Sequence, residues 1–349
     1  MQLVGPDGKQ RNYQEGTPLV DIAPDYQAAY DTPIALGVLN GREVPLQMIP
    51  QEGDRICFLD MNSVESYNTY ISTFLFVLIA AMNRARPQVM LEVQNTLGNA
   101  LYCDIKNKIV LSDYDLADVA AEMKAMIQEK TPITLSFKKK QEAWSYVKPR
   151  FYCDQAPLLS ALPDDVEIPV YELDGVSAYF VNPLLPHLGY LKEFELIRMG
   201  SGILLRYGKR GHYDRLEPFA RRDKLAAVYA DSEKMGQRLH CPTVAALNQF
   251  IKRGNSREII LACEAQHEKK IAQIADAIAS EERGVRLVLI AGPSSSGKTT
   301  FSQRLAVQLR VNGMRPIPIS MDNYFKERKD TPRLPDGSYD FESLGALDT

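Results

Sequence analysis

The chain has 349 residues, a length at which two or three domains are expected. Hydrophobic residues make up 45% and charged residues 24%, which excludes a chain that is mainly disordered or fibrous. Forty-one basic residues against 44 acidic ones give a net charge of -3, which argues against a general polyanion binder that depends on counterion release. The five cysteines include no CxxC pair, so the sequence predicts neither a disulfide framework nor a zinc ribbon.

No export signal or membrane anchor is indicated. The first residues lack a basic segment followed by an apolar one, and the longest nearly apolar run, Ile71 to Met82, is shorter than the roughly 20 residues of a membrane helix. We therefore expect a cytoplasmic protein that makes no contact with a membrane. Its oligomeric state stays open.

The order of elements predicts a multidomain α+β and α/β protein with four regions. Residues 1–62 alternate short β-like runs with turns around a helical segment at Pro18 to Tyr30, a pattern typical of a β-grasp-like domain. Residues 63–210 begin with a buried helix and continue with strands and a helix in an α+β pattern, including a mixed sheet. Residues 211–284 are predicted to be a helical connector, and residues 285–349 to open a parallel α/β domain.

The strongest motif is GPSSSGKT at Gly292 to Thr299, between the predicted strand Val285 to Ala291 and a predicted helix. A loop of this kind wraps around phosphates, and its amides converge on them at a helix N-terminus. Lys298 is expected to reach the β and γ phosphates of ATP during transfer, and the Thr299 hydroxyl to bind Mg²⁺. The predicted ATP-binding residues are Gly292, Pro293, Ser294, Ser295, Ser296, Gly297, Lys298, Thr299 and Thr300.

A second predicted strand, Arg315 to Ser320, ends just before Asp322. Ligands of open parallel sheets bind at the carboxyl ends of the strands, so Asp322 is placed to act as the general base that takes the proton of an attacking hydroxyl. A plain helix N-cap is the alternative for this residue.

Together these segments resemble the uridine kinase family of nucleoside kinases, which is related to phosphoribulokinase and pantothenate kinase. The resemblance covers about residues 285–349. It implies that Asp322 is the catalytic aspartate, that Tyr324 and Phe325 are the aromatic pair beside it, and that Glu342 stands at the position that holds the ribose. The implied activity is transfer of the γ phosphate of ATP to the 5′ hydroxyl of uridine or a similar nucleoside, which would be the substrate.

Two alternatives stay open beside the nucleoside kinase. One is a regulatory protein that binds RNA or a nucleotide and uses the loop as a sensor. The other is a kinase that acts on a different sugar or alcohol. Because roughly 200 residues are needed for a complete kinase sheet, the chain is also expected to end inside this domain and to be inactive as a kinase.

The N-terminal regions carry a second resemblance. Residues 1 to about 60, with PDG and VLNGREVPL, resemble a TGS domain, and residues 65–207, with PHLGYLKEFELI, resemble the second additional domain of threonyl-tRNA synthetase. That domain implies a hydrolytic metal site with an HxxxH and a CxxxH pair. The matching positions here are Ser72, Phe76, Val181 and Leu184, none of which is a good zinc ligand. The resemblance therefore implies a domain without that metal, used for structure or binding.

Two basic segments could contact RNA phosphates: the lysines 138–140 and the stretch RYGKRGHYDR at 206–215. Solvated surface charge is the alternative for both.

Overall fold

The computed structural model describes residues 1–146, 159, 162–220, 222–280 and 284–349. The chain divides into two compact units, Met1–Gln249 and Phe250–Thr349. It is a multidomain α+β protein with several small sheets, as the composition and element order predicted in general terms.

The first sixty residues form a two-stranded and a three-stranded sheet around a shared apolar core. An isolated parallel bridge joins Val4 of the N-terminal hairpin to Arg55, just before the last strand. Asn40 and Gly41 both have positive φ, as a two-residue Asn-Gly turn between paired strands requires. The elements are β1 (Gln2–Val4), β2 (Gln10–Asn12), α1 (Leu19–Ile22) with a 3-10 helix (Ala23–Ala29), β3 (Ile34–Leu39), β4 (Arg42–Val44) and β5 (Ile56–Asp60).

The helix α2 (Val64–Ala85) forms the centre of the largest core. Its N-cap is Ser63, whose hydroxyl accepts a hydrogen bond from the Ser66 amide at 3.0 Å. By length and composition α2 could cross a membrane, but 67% of the apolar window is buried inside the protein. The helix is therefore packed as the core helix of a folded unit.

Two antiparallel sheets pack around α2, where the sequence predicted one mixed sheet. Short turns join most of the neighbouring strands, which favours antiparallel pairing over parallel crossovers. Their strands are β6 (Leu91–Thr96), β7 (Ala100–Ile105), β8 (Thr134–Lys139), β9 (Glu167–Leu173), β10 (Val176–Tyr179), β11 (Phe194–Met199) and β12 (Gly202–Tyr207), with helices α3 (Asp113–Gln128) and α4 (Lys140–Tyr146) between them. One sheet has the order β11-β12-β7-β6 and the other β10-β9-β8.

Helices dominate the next region, as predicted. They are α5 (Asp223–Arg238), α6 (Val244–Lys252) and α7 (Ser256–Ala279). Helix α7 buries Ile271 and Ala275 against Leu305 and Leu309 of α8 (Lys298–Val311). Residues 281–283, in the predicted helical connector, lie outside the described residues.

The predicted parallel α/β unit is only partly formed. Helix α8 follows the glycine-rich loop as expected, but residues 285–291 and 315–320 are not strands. Most of their apolar side chains face solvent, with Leu289 84% and Ile317 83% exposed, although Ile290 packs on the core between α7 and α8. A strand is held by hydrogen bonds to a neighbouring strand, and no such ladder is recorded for either segment in the described part of the chain. The sequence prediction of two strands of a kinase sheet is therefore wrong for this structure.

Candidate functional sites

The glycine-rich loop enters α8 through two left-handed residues, Ser295 with φ of 59° and Gly297 with φ of 83°. Gly297 is the N-cap of α8, and a Cβ on Gly292 would lie 2.7 Å from the hydroxyl of Ser296. The first amides of a helix have no partner within the helix, so they are available to an anion at this end. Residues 292–300 are exposed, which leaves the loop open to a ligand.

Lys298 folds back over the loop. Its ammonium donates hydrogen bonds to the carbonyl oxygens of Gly292 at 2.7 Å and Pro293 at 2.9 Å. The lysine is thus held beside the loop by weak, neutral acceptors. A phosphate is a stronger acceptor for an ammonium than a carbonyl is, so the exchange of partners is favourable.

The other residues assigned to the kinase site lie further along the second unit. Asp322 is exposed in a short 3-10 helix, Met321–Tyr324, and no hydrogen bond links it to the loop among the residues that the structure describes. Tyr324 and Phe325 border a backbone bridge from Phe325 to Leu347, supported by the amide of Asp348 donating to the Tyr324 carbonyl at 2.8 Å.

Glu342 is exposed, and its amide donates to the carboxylate of Asp340 at 3.2 Å. The structure therefore brings the aromatic pair together with the 346–348 segment. No recorded side-chain contact between described residues joins Asp322 and Glu342 into one site.

In the first unit, the structure brings together the two segments that would carry the synthetase metal ligands. The side-chain amide of Asn182 donates to the hydroxyl of Ser72 at 3.2 Å, which joins α2 to the segment after β10. Phe76 is fully buried and packs on Phe180 with ring centroids 5.2 Å apart. The place where the synthetase metal ligands would lie is thus filled by apolar rings and by a neutral hydrogen-bonded pair, and neither suits zinc.

Leu184 is buried at the end of that segment, whereas Val181 faces solvent and is 84% exposed. The four matching positions thus differ widely in burial, and none of them carries an imidazole or a thiolate.

Three carboxylates outside these sites come close together: Glu92, Asp104 and Glu233. Lys106 lies among them, in an ion pair with Glu92 and 3.5 Å from Glu233. Burial opposes its charge, but the hydrogen bond to Glu92 and the surrounding carboxylates outweigh burial and raise the pKa of Lys106. The cluster is therefore an ion-pair network whose negative charge its own lysine partly offsets.

The predicted basic segments are mostly paired within the protein. Lys140 donates to the Leu162 carbonyl at 2.6 Å and to Asp164 at 2.9 Å, and Lys138 lies over the Tyr146 ring at 5.2 Å. The stretch at 206–215 borders a cleft with partners from other segments, which sequence reasoning missed. One wall, residues 97–100, comes from the turn between β6 and β7, far earlier in the chain, so no local pattern predicts it.

The sequence of the chain is similar to those of proteins named as ligases. No protein-family model matches the chain. It is 24% identical over 278 residues to a threonine–tRNA ligase of Bacillus velezensis, covering 72% of this chain and 43% of that protein. Similar proteins of the same name come from Syntrophomonas wolfei, at 25% identity over 56% of this chain and 31% of the relative, and from Chlamydia trachomatis serovar D, at 27% over 54% and 29%. The chain spans less than half the length of these relatives.

These relatives correct the central prediction. A uridine kinase identity, a phosphotransferase activity, the phosphoribulokinase relationship and a nucleoside substrate are wrong, because the relatives are named as ligases that join threonine to tRNA. The unformed kinase strands point the same way. The alternatives of a loop-based sensor and of another alcohol kinase gain no support either. The comparisons point to a protein related to aminoacyl-tRNA synthetases.

Proposed function

We propose that this chain is a tRNA-binding protein of the threonyl-tRNA synthetase type, whose first unit contacts tRNA without a hydrolytic metal. The observation that carries the proposal is the similarity to threonine–tRNA ligases. The parallel bridge from Val4 to Arg55, which brings the N-terminal hairpin to the start of the last strand, supports a β-grasp domain of the TGS type within it. The domain limits 1–62, 63–210, 211–284 and 285–349 and the cytoplasmic location stay predictions.

The second part of the proposal is that the loop at 292–300 holds the phosphates of ATP. Lys298 would exchange its two carbonyl acceptors for phosphate oxygens, and the first amides of α8 would complete the cradle. The exposed Thr299 hydroxyl fits a hard cation, so it would bind the Mg²⁺ that neutralises phosphate charge. The roles predicted for Asp322, Tyr324, Phe325 and Glu342 stay predictions tied to a nucleoside acceptor that the relatives do not support.

The tRNA half is tested by titrating the full chain into labelled tRNA and following fluorescence anisotropy. We expect saturable binding that is at least tenfold tighter than binding to a DNA duplex of equal length, because a chain of net charge -3 has little general affinity for polyanions. Threonine tRNA and a tRNA for another amino acid form two arms that measure selectivity. Equal affinity for tRNA and DNA would contradict the proposal.

The ATP half is tested separately by calorimetric titration with ATP and Mg²⁺. Lys298→Ala removes a charge-assisted contact to phosphate and should weaken ATP binding roughly 10- to 150-fold. Lys329→Ala is the matched control, since this exposed lysine lies outside the loop and pairs with Glu327 at 2.9 Å. Gly297→Ala should also weaken binding, because alanine is strained at a φ of 83°. An unchanged affinity in Lys298→Ala would show that the loop does not bind ATP phosphates.

A further inference from the structure

A cleft of about 280 Å³ opens beside the turn between β6 and β7 in the first unit. Gly98 and Asn99 form one wall and the segment that follows β12 forms the other. Leu97, Ala100 and Leu204 make the apolar layer beneath it, together with Ala226 of α5. The neighbouring residues Ile203 and Leu205 of β12 point into the core around α2, so the cleft lies on the opposite face of the sheet from α2.

The lining of the cleft is basic. It contains Arg206, Lys209 and Arg222 against one carboxylate, Glu217. Arg206 is committed to structure, since it pairs with Glu195 and donates to the backbone carbonyl of Glu217. Arg206 therefore shapes the wall, and its charge is largely balanced by Glu195.

The two remaining cations are available. Lys209 is 56% exposed and lies 3.5 Å from Glu217, which also accepts a hydrogen bond from Asn99 at 2.8 Å. Arg222 is exposed and has no ion pair recorded within the described part of the chain. Lys209 and Arg222 thus line the same cleft, and the carboxylate of Glu217, which faces them, also binds Asn99. This charge pattern fits a phosphate group.

An aromatic ring lies beside these cations. Phe219 is 38% exposed, and the guanidinium of Arg206 covers one face of the ring at 5.1 Å from its centroid. Arg206 therefore fixes the ring while leaving part of it open to the cleft. An exposed ring next to cations is the arrangement with which proteins stack a base and hold its phosphate.

We propose that this cleft binds one unpaired nucleotide of the tRNA partner, with the base against Phe219 and the phosphate at Lys209 and Arg222. The proposal rests on the proposed function, since it names the part of the first unit that contacts tRNA. It concerns a site separate from both the Ser72 and Phe76 position and the glycine-rich loop. A free nucleotide offers the same chemistry, so the experiment distinguishes the two sources.

The test measures tRNA affinity of the full chain as a function of salt. Lys209→Glu and Arg222→Glu should each lower affinity and reduce the slope of log affinity against log salt, because each replaces a cation that faces the phosphate by an anion. Phe219→Leu should lower affinity by a factor between roughly 5 and 150 while leaving that slope unchanged, because it removes stacking and no charge. Lys124→Glu is the matched control, an exposed cation of α3 outside the cleft.

The outcomes separate the two proposals. If the unaltered chain fails to bind tRNA, both the proposed function and the cleft proposal are overturned. If it binds tRNA but the cleft variants behave like Lys124→Glu, only the cleft proposal is overturned. A further arm titrates adenosine monophosphate: binding tighter than that of tRNA, lost in Phe219→Leu, would assign the cleft to free nucleotide and overturn the tRNA contact. Circular dichroism of each variant checks that these exposed substitutions leave the fold intact.

Discussion

Replacing Phe76 by alanine tests whether apolar packing has taken the place of a metal site on α2. The ring is fully buried and packs on Phe180, with the two ring centroids 5.2 Å apart, so its removal leaves a cavity in the largest core. Such a change costs about 3–5 kcal/mol of the free energy of unfolding. In a unit of this size that corresponds to a fall in Tm of about 6 to 20 °C.

The assay is thermal and urea unfolding of the full chain followed by circular dichroism at 222 nm. Phe137→Ala is the control, because this ring on β8 is 42% exposed and its loss should cost less than about 1 kcal/mol. A loss as small as the control's in Phe76→Ala would show that the position is loosely packed and would refute the argument that the ring is essential to the core.

Phe76→His extends the test to the metal itself. The histidine should destabilise the protein about as much as alanine does, because an imidazole buried here has no ligand partner. Added zinc should leave Tm unchanged, since a ligand stabilises only the state that binds it. A rise in Tm with zinc would show that neighbouring side chains can complete a metal site around the introduced imidazole and would contradict the argument from packing.

Three further predictions concern the protein as it stands. Metal analysis of the purified chain should find no stoichiometric zinc, and its presence would contradict the loss of the metal site. Hydrogen bonds from the Ser112 hydroxyl and amide, and then from Arg86, lower the pKa of the Asp115 carboxyl to about 2. The charged carboxylate therefore stabilises the folded state fully above about pH 4, and this contribution is lost as the pH falls toward 2. The fall in Tm caused by Asp115→Asn should therefore be large at pH 6 and vanish near pH 2, and a difference that does not shrink would refute this assignment. Burial raises the pKa of the Cys103 thiol to about 12, so a thiol reagent at pH 8 should label exposed Cys263 at once and Cys103 only on unfolding.

Local sequence determined much of the structure. The apolar run 71–82 specified a buried helix, and the serine and aspartate at Ser112 and Asp115 specified the start of α3 through a capping box. The glycine-lysine pair at the end of the loop specified the start of α8. The residue types at Ser72 and Phe76 also argued by themselves against a zinc site, because neither supplies an imidazole or a thiolate. Each of these conclusions depends on residues within a few positions of one another, where propensity, capping and periodicity act.

The kinase prediction was wrong because it depended on contacts between segments that are distant in the sequence. A glycine-rich loop and one following helix are compatible with several classes of protein, and the rest of the expected fold depended on segments 285–291 and 315–320 finding strand partners. Their apolar sequences favour strands, but a strand exists only where another segment supplies hydrogen bonds. No local pattern contains that information.

The basic cleft shows what only the tertiary structure decided. The stretch 206–215 was visible in the sequence as charge, yet most of its cations could have been ordinary solvated surface. Folding brings Asn99 to Glu217, 118 residues away, and sets Phe219 under Arg206. Charge and aromatic character belong to single residues and can be read from the chain, whereas a binding site requires distances between them. Those distances are set by how the sheet packs, which is why the cleft and its proposed nucleotide became apparent only in the folded protein.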